Sequence, residues 1–142
     1  MFELLDHTAD AAVRLRSPTE AALFQDAAAA HVAIVLDLGA SAPVGTGLLR
    51  PLVLEAEDPE ALLVDFLNEL IFLFDTERFL TGRVDVEHVR LEKPARLQAK
   101  LLGEVHDPAR HSARTEVKAA TFHDIEIRRT PAGLEAVVVF DL

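Results

Sequence analysis

The chain has 142 residues, 50% of them hydrophobic, and its 24 acids against 14 Lys and Arg give a formal charge of −10. That length and apolar content suit one globular domain whose core needs no disulfide or metal staple. The lack of cysteine excludes disulfides, thiolate catalysis and thiolate metal clusters, while the acidic surplus, with no Trp or Tyr to stack bases, disfavours tight RNA binding.

The opening MFELLDHTAD has acids and a histidine where a signal peptide needs a basic start and a longer apolar run. Leu62 to Phe74, the most apolar stretch, is broken by Asp65, Asn68 and Glu69 and is too short to span about 30 Å of hydrocarbon. A cytoplasmic protein with no membrane partner is therefore expected.

Alternation over Ala11 to Arg16 predicts a short half-buried strand. Ser17, Pro18, Thr19 and Glu20 read as a capping box that starts a helix running to about Asp37. Its buried face should hold Leu23, Phe24, Ala27, Ala28, His31, Ile34 and Val35 at helical spacing. Gly and Pro between Gly39 and Gly47 break the pattern, and Leu48 to Glu57 reads as a strand in which Pro51 favours an edge. Asp58 and Pro59 then supply an N-cap and a first-turn proline for a second, central helix whose apolar residues cover most of its circumference. Its Asp65 and Glu69 read as a solvated face.

Strands are predicted over Arg83 to Glu92, Ala95 to Val105, Glu116 to Arg128 and Leu134 to Asp141. Within the third, Val117, Ala119, Thr121, His123, Ile125 and Ile127 should share one face, with Lys118, Phe122 and Asp124 on the other. The turn Thr130-Pro131-Ala132-Gly133 should join the last two as an antiparallel hairpin. The elements predict a single α+β domain over residues 1–142, with a mainly antiparallel or mixed sheet covered by two principal helices.

With no cysteine, any metal must be held by oxygen or imidazole. DHTAD packs Asp6, His7, Thr8 and Asp10 ahead of a strand, a density of hard ligands able to bind a divalent cation, although the same residue types also serve as caps and turns. At the other end, the last strand delivers Asp141 and the α-carboxylate of Leu142 to one place. Adjacent carboxylates repel in a desolvated site unless a cation lies between them, which suggests Ca, Mg or Mn, against the alternative of a solvated terminus. GEVHDPARH gathers Glu104, His106, Asp107 and His111 around a turn, but its spacing matches no zinc signature and also suits a polar surface loop. His31 and His88 read as packed or exposed histidines, and Lys118 and His123 lack an identifiable nucleophile or base partner. No serine elbow, P-loop, dinucleotide fingerprint or HExxH is present, so the chain shows no recognised catalytic apparatus.

DHTAD, LLVDFLNELIFLFD, GEVHDPARH, EVKAATFHD and the terminal VVVFDL, in that order over nearly the whole chain, resemble the archease family. The resemblance implies a small α+β protein that activates RNA ligases of the RtcB class, promoting their guanylylation and repeated turnover in tRNA splicing or RNA repair. The ligase does the chemistry, so the chain itself is not expected to be an enzyme. The resemblance also implies a divalent ion, calcium by preference, at positions matching Asp10, Asp141 and Leu142. His7 and Lys118 are implied as secondary candidates for the metal shell or the ligase contact. Phe122 departs from the tyrosine common in the family, so any role of that hydroxyl is absent. The alternative is a chaperone-like modulator of an RNA-modifying enzyme such as a tRNA methyltransferase. A stand-alone metal-dependent hydrolase would need a general base that the sequence does not offer.

Overall fold

Period-two alternation and helical spacing divide the chain into strands and two long helices. A computed structural model describes residues 1–5, 10–36, 44–109, 111, 115–121 and 126–142. In chain order these form β1 (Phe2–Leu5), β2 (Asp10–Ser17), α1 (Glu20–Val35), β3 (Leu48–Ala56), α2 (Pro59–Glu77), β4 (Phe79–Arg90), β5 (Ala95–Val105), β6 (Ala119–Thr121), β7 (Arg128–Thr130) and β8 (Gly133–Asp141).

All described strand pairings are antiparallel, and they make two sheets. One is built around β8, in the order β1-β2-β8-β6, with β7 also paired to β8; the other has the order β3-β5-β4. Each helix packs against strands of both sheets. A single apolar core joins Val13, Leu15, Phe24, Phe66, Leu97 and Phe140, among others. A helix contacted on both sides must be apolar over much of its circumference, which explains the nearly continuous hydrophobic run of α2. This is the α+β domain the sequence predicts, with antiparallel strands and two principal helices. Among the described residues no helix is long and apolar enough to cross a membrane.

Local signals explain most of the element boundaries. Asp58 caps α2 by accepting from the Ala61 N–H at 2.7 Å, and Pro59 occupies the first turn. The helix ends at Arg78, a left-handed residue with φ 56°, whose N–H donates to the Phe74 carbonyl at 2.8 Å and whose guanidinium lies 5.3 Å from the Phe74 ring centroid. Pro51 falls on β3, an edge strand, as the sequence indicates. The β7–β8 hairpin forms with Thr130 opposite Gly133.

The strands form two sheets where the sequence predicts one, β1 is an additional strand, and β4 starts at Phe79 where the sequence predicts Arg83. Three further details differ. The N-cap of α1 is Thr19, whose Oγ1 accepts from the Ala22 N–H at 3.1 Å. Ser17 instead remains in β2, buried, with its hydroxyl donating to Asp26. The sheet ladder thus extends through Ser17 and shifts the helix start by two residues. Second, the strand expected over Glu116 to Arg128 is two strands on the same edge of β8. Thr121 pairs with Val139 and Arg128 with Glu135, seven steps along one chain against four along the other, so one regular strand cannot bridge the interval. Third, within β6 the buried residue is Ala120, with Ala119 and Thr121 half-buried, because Ala120 lies opposite the core residue Phe140. The expectations for Phe122, His123, Asp124 and Ile125 lie outside the described residues.

Candidate functional site

Asp10 opens β2 and Asp141 closes β8, and the antiparallel register sets them directly opposite each other. Ala119 of β6 faces Asp141 from the other side. Strand alternation fixes which way they face. Val13, Leu15 and Ser17 of β2 are buried, as are Leu134, Ala136, Val138 and Phe140 of β8, so Asp10 and Asp141 belong to the opposite, outward face. Directly opposed residues of an antiparallel pair hold their Cβ atoms about 4.5–5.5 Å apart, and like charges so placed destabilise the ladder.

Further along the same face lie several cations. Arg14 pairs with Glu3 at 3.1 Å and with Glu135 at 3.8 Å, and Arg16 and Arg128 also reach Glu135. Arg14 lies four steps along β2 from Asp10, about 13 Å at the usual rise. The face therefore has an ion-pair network at one end and two carboxylates at the other.

Lys118 reaches the carboxylate end through its main chain, with its N–H donating to the Asp141 carbonyl at 2.8 Å, while its side chain is exposed. Leu142 follows Asp141 and is also exposed. The structure thus brings Asp10, Asp141, Leu142 and the Lys118 backbone together, whereas His7 lies outside the described residues. Two carboxylates with nearby main-chain oxygens make a hard donor set that fits Ca, Mg or Mn better than a soft metal. Among the described residues no group of three or more His, Cys, Asp or Glu could hold a metal.

Two residues beneath this end have separate roles. His31 of α1 is buried against Phe140, with ring centroids 6.4 Å apart, and neither ring nitrogen has a hydrogen-bond partner among the described residues. Burial pushes its pKa down to about 4, so it is a neutral core histidine. Asn68 of α2 holds β6 in place: it accepts from the Ala120 N–H at 2.9 Å and donates to the Ala120 carbonyl at 3.3 Å. Sequence reasoning alone misses Asn68, although a lone amide inside an apolar helix signals a buried polar partner.

Within GEVHDPARH, Val105, Pro108 and Ala109 are exposed, as a surface loop requires, whereas Glu104, His106 and Asp107 are half-buried and His111 is buried. The His111 Nδ1 accepts from the Asp107 N–H at 2.8 Å, so the neutral ring carries its proton on Nε2. Nε2 then has no lone pair for a metal, and it lies 3.9 Å from Glu104 Oε2. Glu104 also accepts from the Gly45 N–H, and His106 stacks on His111 at 5.3 Å. The cluster ties loops together around the α2 terminus. On α2 itself, Asp65 is exposed and Glu69 half-buried, and partial desolvation raises the Asp65 pKa.

Known proteins share this sequence and fold over nearly the whole chain. A model of the archease protein family matches residues 2–142. The archease of Methanosarcina acetivorans is 34% identical over 142 residues, covering 99% of this chain and 95% of the relative. That of Thermococcus gammatolerans is 38% identical over 132 residues, covering 93% and 91%. The solution structure of Methanobacterium thermoautotrophicum protein 1598 superposes with a TM-score of 0.80 at 31% identity, over 99% of this chain and 98% of that one. A Thermotoga maritima crystal structure, described as an archease and possible chaperone, gives 0.62 at 19% identity over 97% and 94%, a likeness of fold.

Proposed function

Because the chain belongs to the archease protein family, we propose that it is an accessory protein of an RtcB-type RNA ligase and carries a divalent cation, calcium by preference, at Asp10, Asp141 and Leu142. The observation that carries this reading is the register of β2 and β8, which sets Asp10 directly opposite Asp141. Two carboxylates held opposite each other by strand register are a pair of hard oxygen donors at a fixed spacing, which suits a divalent cation. When bound, such an ion supplies positive charge to which phosphate oxygens can coordinate.

The chain's own residues have positioning roles. The β2–β8 ladder fixes the separation of the two acids, and the Lys118 N–H on the Asp141 carbonyl ties the segment before β6 to the same end. The Lys118 side chain, exposed beside them, is available to a phosphate or to an acidic residue of the ligase. In this reading bond making is left to the partner ligase. The acidic surplus favours a protein partner over nucleic acid.

The test is multiple-turnover ligation by the cognate ligase, alone and with the wild-type protein or its Asp10→Ala and Asp141→Ala forms. Wild type should raise the turnover number and the variants should lose most of that gain. Equal rates in all mixtures would remove the proposal.

A second reading, a chaperone-like modulator of an RNA-modifying enzyme such as a tRNA methyltransferase, is favoured by the exposed apolar side chains of the β3 edge, Leu48, Leu49 and Val53. Copurification with a methyltransferase and not with the ligase would select it.

A further inference from the structure

Phe72 is left 57% exposed on a helix that is otherwise largely buried. Neighbours on its own stripe fix its position. Asn68, one turn earlier, is bonded in both directions to the main chain of Ala120. Asp75, three residues later, lines a cavity of about 310 Å³ with Phe74, Arg78, Glu116 and Val117. Phe72 therefore stands beside the stretch between Glu116 and Ala120, which contains Lys118 and its bond to Asp141. Phe72 and the cavity thus lie along the stretch from Glu116 to Ala120, which Lys118 joins through its main chain to the Asp141 carbonyl.

We propose that this surface docks a protein partner through an apolar contact on Phe72 and a lysine or arginine side chain inserted into the cavity. The proposal rests on the accessory-protein reading above and assigns the partner-binding face to it. The cavity's own cation, Arg78, already lies over the Phe74 ring, and the carboxylates of Asp75 and Glu116 outnumber it, which leaves negative charge for a second cationic head. Asp65 and Glu69, on the same helical stripe as Phe72, extend the negative field towards the partner. A nucleic acid backbone would meet the same carboxylates as repulsion. A single exposed aromatic is ordinary on a protein surface. One bracketed by a cavity and by carboxylates has the composition of an interface centre, where aromatic anchors dominate affinity.

The test is the affinity of the ligase encoded by the same genome for wild type and for Phe72→Ser, Phe72→Leu, Glu116→Lys and, on the distant β3 edge, Val53→Ser. Phe72→Ser and Glu116→Lys should each weaken binding at least tenfold, Phe72→Leu should restore most of it, and Val53→Ser should bind as wild type. Melting temperature and calcium affinity should stay at wild-type values throughout, because Phe72 and Glu116 are exposed and outside the carboxylate pair. Wild-type affinity for Phe72→Ser and Glu116→Lys, with activation intact, would overturn this surface and leave the accessory role standing. A ligase neither bound nor activated by wild type would overturn both.

Discussion

Asn68 and Ala120 are joined twice, by the Ala120 N–H donating to Asn68 Oδ1 at 2.9 Å and by Asn68 Nδ2 donating to the Ala120 carbonyl at 3.3 Å. β6 is only three residues long and lies at the edge of its sheet, so this clamp replaces the neighbour strand it lacks. Asn68→Ala would leave both main-chain groups without these partners and should cost about 2 kcal/mol, within the usual range for unsatisfied polar groups. Urea denaturation measures it; a change below about 0.5 kcal/mol would show that the clamp contributes little.

His31 gives the stability a pH dependence of known sign. Its folded pKa is about 4 against 6.5 for the free side chain, so between those values the unfolded chain binds the proton more readily. Its contribution is full above pH 6.5 and is lost as the pH falls towards 4. Relative to His31→Leu, wild type should lose on the order of 3 kcal/mol between pH 7 and pH 4. At pH 7 the same substitution should stabilise the fold by about 1 kcal/mol, because it removes two buried nitrogens that have no partner among the described residues. Parallel pH profiles for the two proteins would refute the burial effect.

Gly133 has φ 136°, and a methyl group there would overlap the Ser17 carbonyl oxygen where the hairpin crosses the end of β2. Gly133→Ala should therefore destabilise by about 2 kcal/mol or more, through backbone strain and overlap together. Thermal unfolding reads this directly. A melting temperature equal to wild type would mean that the hairpin moves aside without cost.

At the start of α2, Asp58→Ala removes the acceptor for the Ala61 N–H and should cost about 1 kcal/mol. Asp58→Ser should recover most of that loss. No difference between the alanine and serine forms in denaturant titrations would assign the effect to something other than capping.

The fold is legible in the sequence where local chemistry and tertiary context agree. Asp58 and Pro59 mark the start of α2, Pro51 lies on an edge strand, and Pro131 to Gly133 turn the last hairpin, each for a reason confined to a few residues. It is illegible where a distant partner decides. Ser17 has every property of an N-cap, yet the β2–β8 ladder holds it and Thr19 caps the helix instead. The strand expected from Glu116 to Arg128 is divided because β8 offers too few partners for that interval. In the candidate site, the residue types of Asp10 and Asp141 can be read from the two ends of the chain, but their opposition is a property of strand register and has no local signature. Phe72 is hidden for a different reason: in a helix with apolar residues all round, composition does not identify the exposed one.

Calorimetric titration of calcium into wild type, Asp10→Asn, Asp141→Asn and the double variant tests the central geometry most directly. If the two carboxylates share one ion, wild type binds one calcium, each single change lowers affinity at least tenfold, and the double change costs less than the two separate losses combined. Wild-type calcium affinity in either single variant would contradict the shared site.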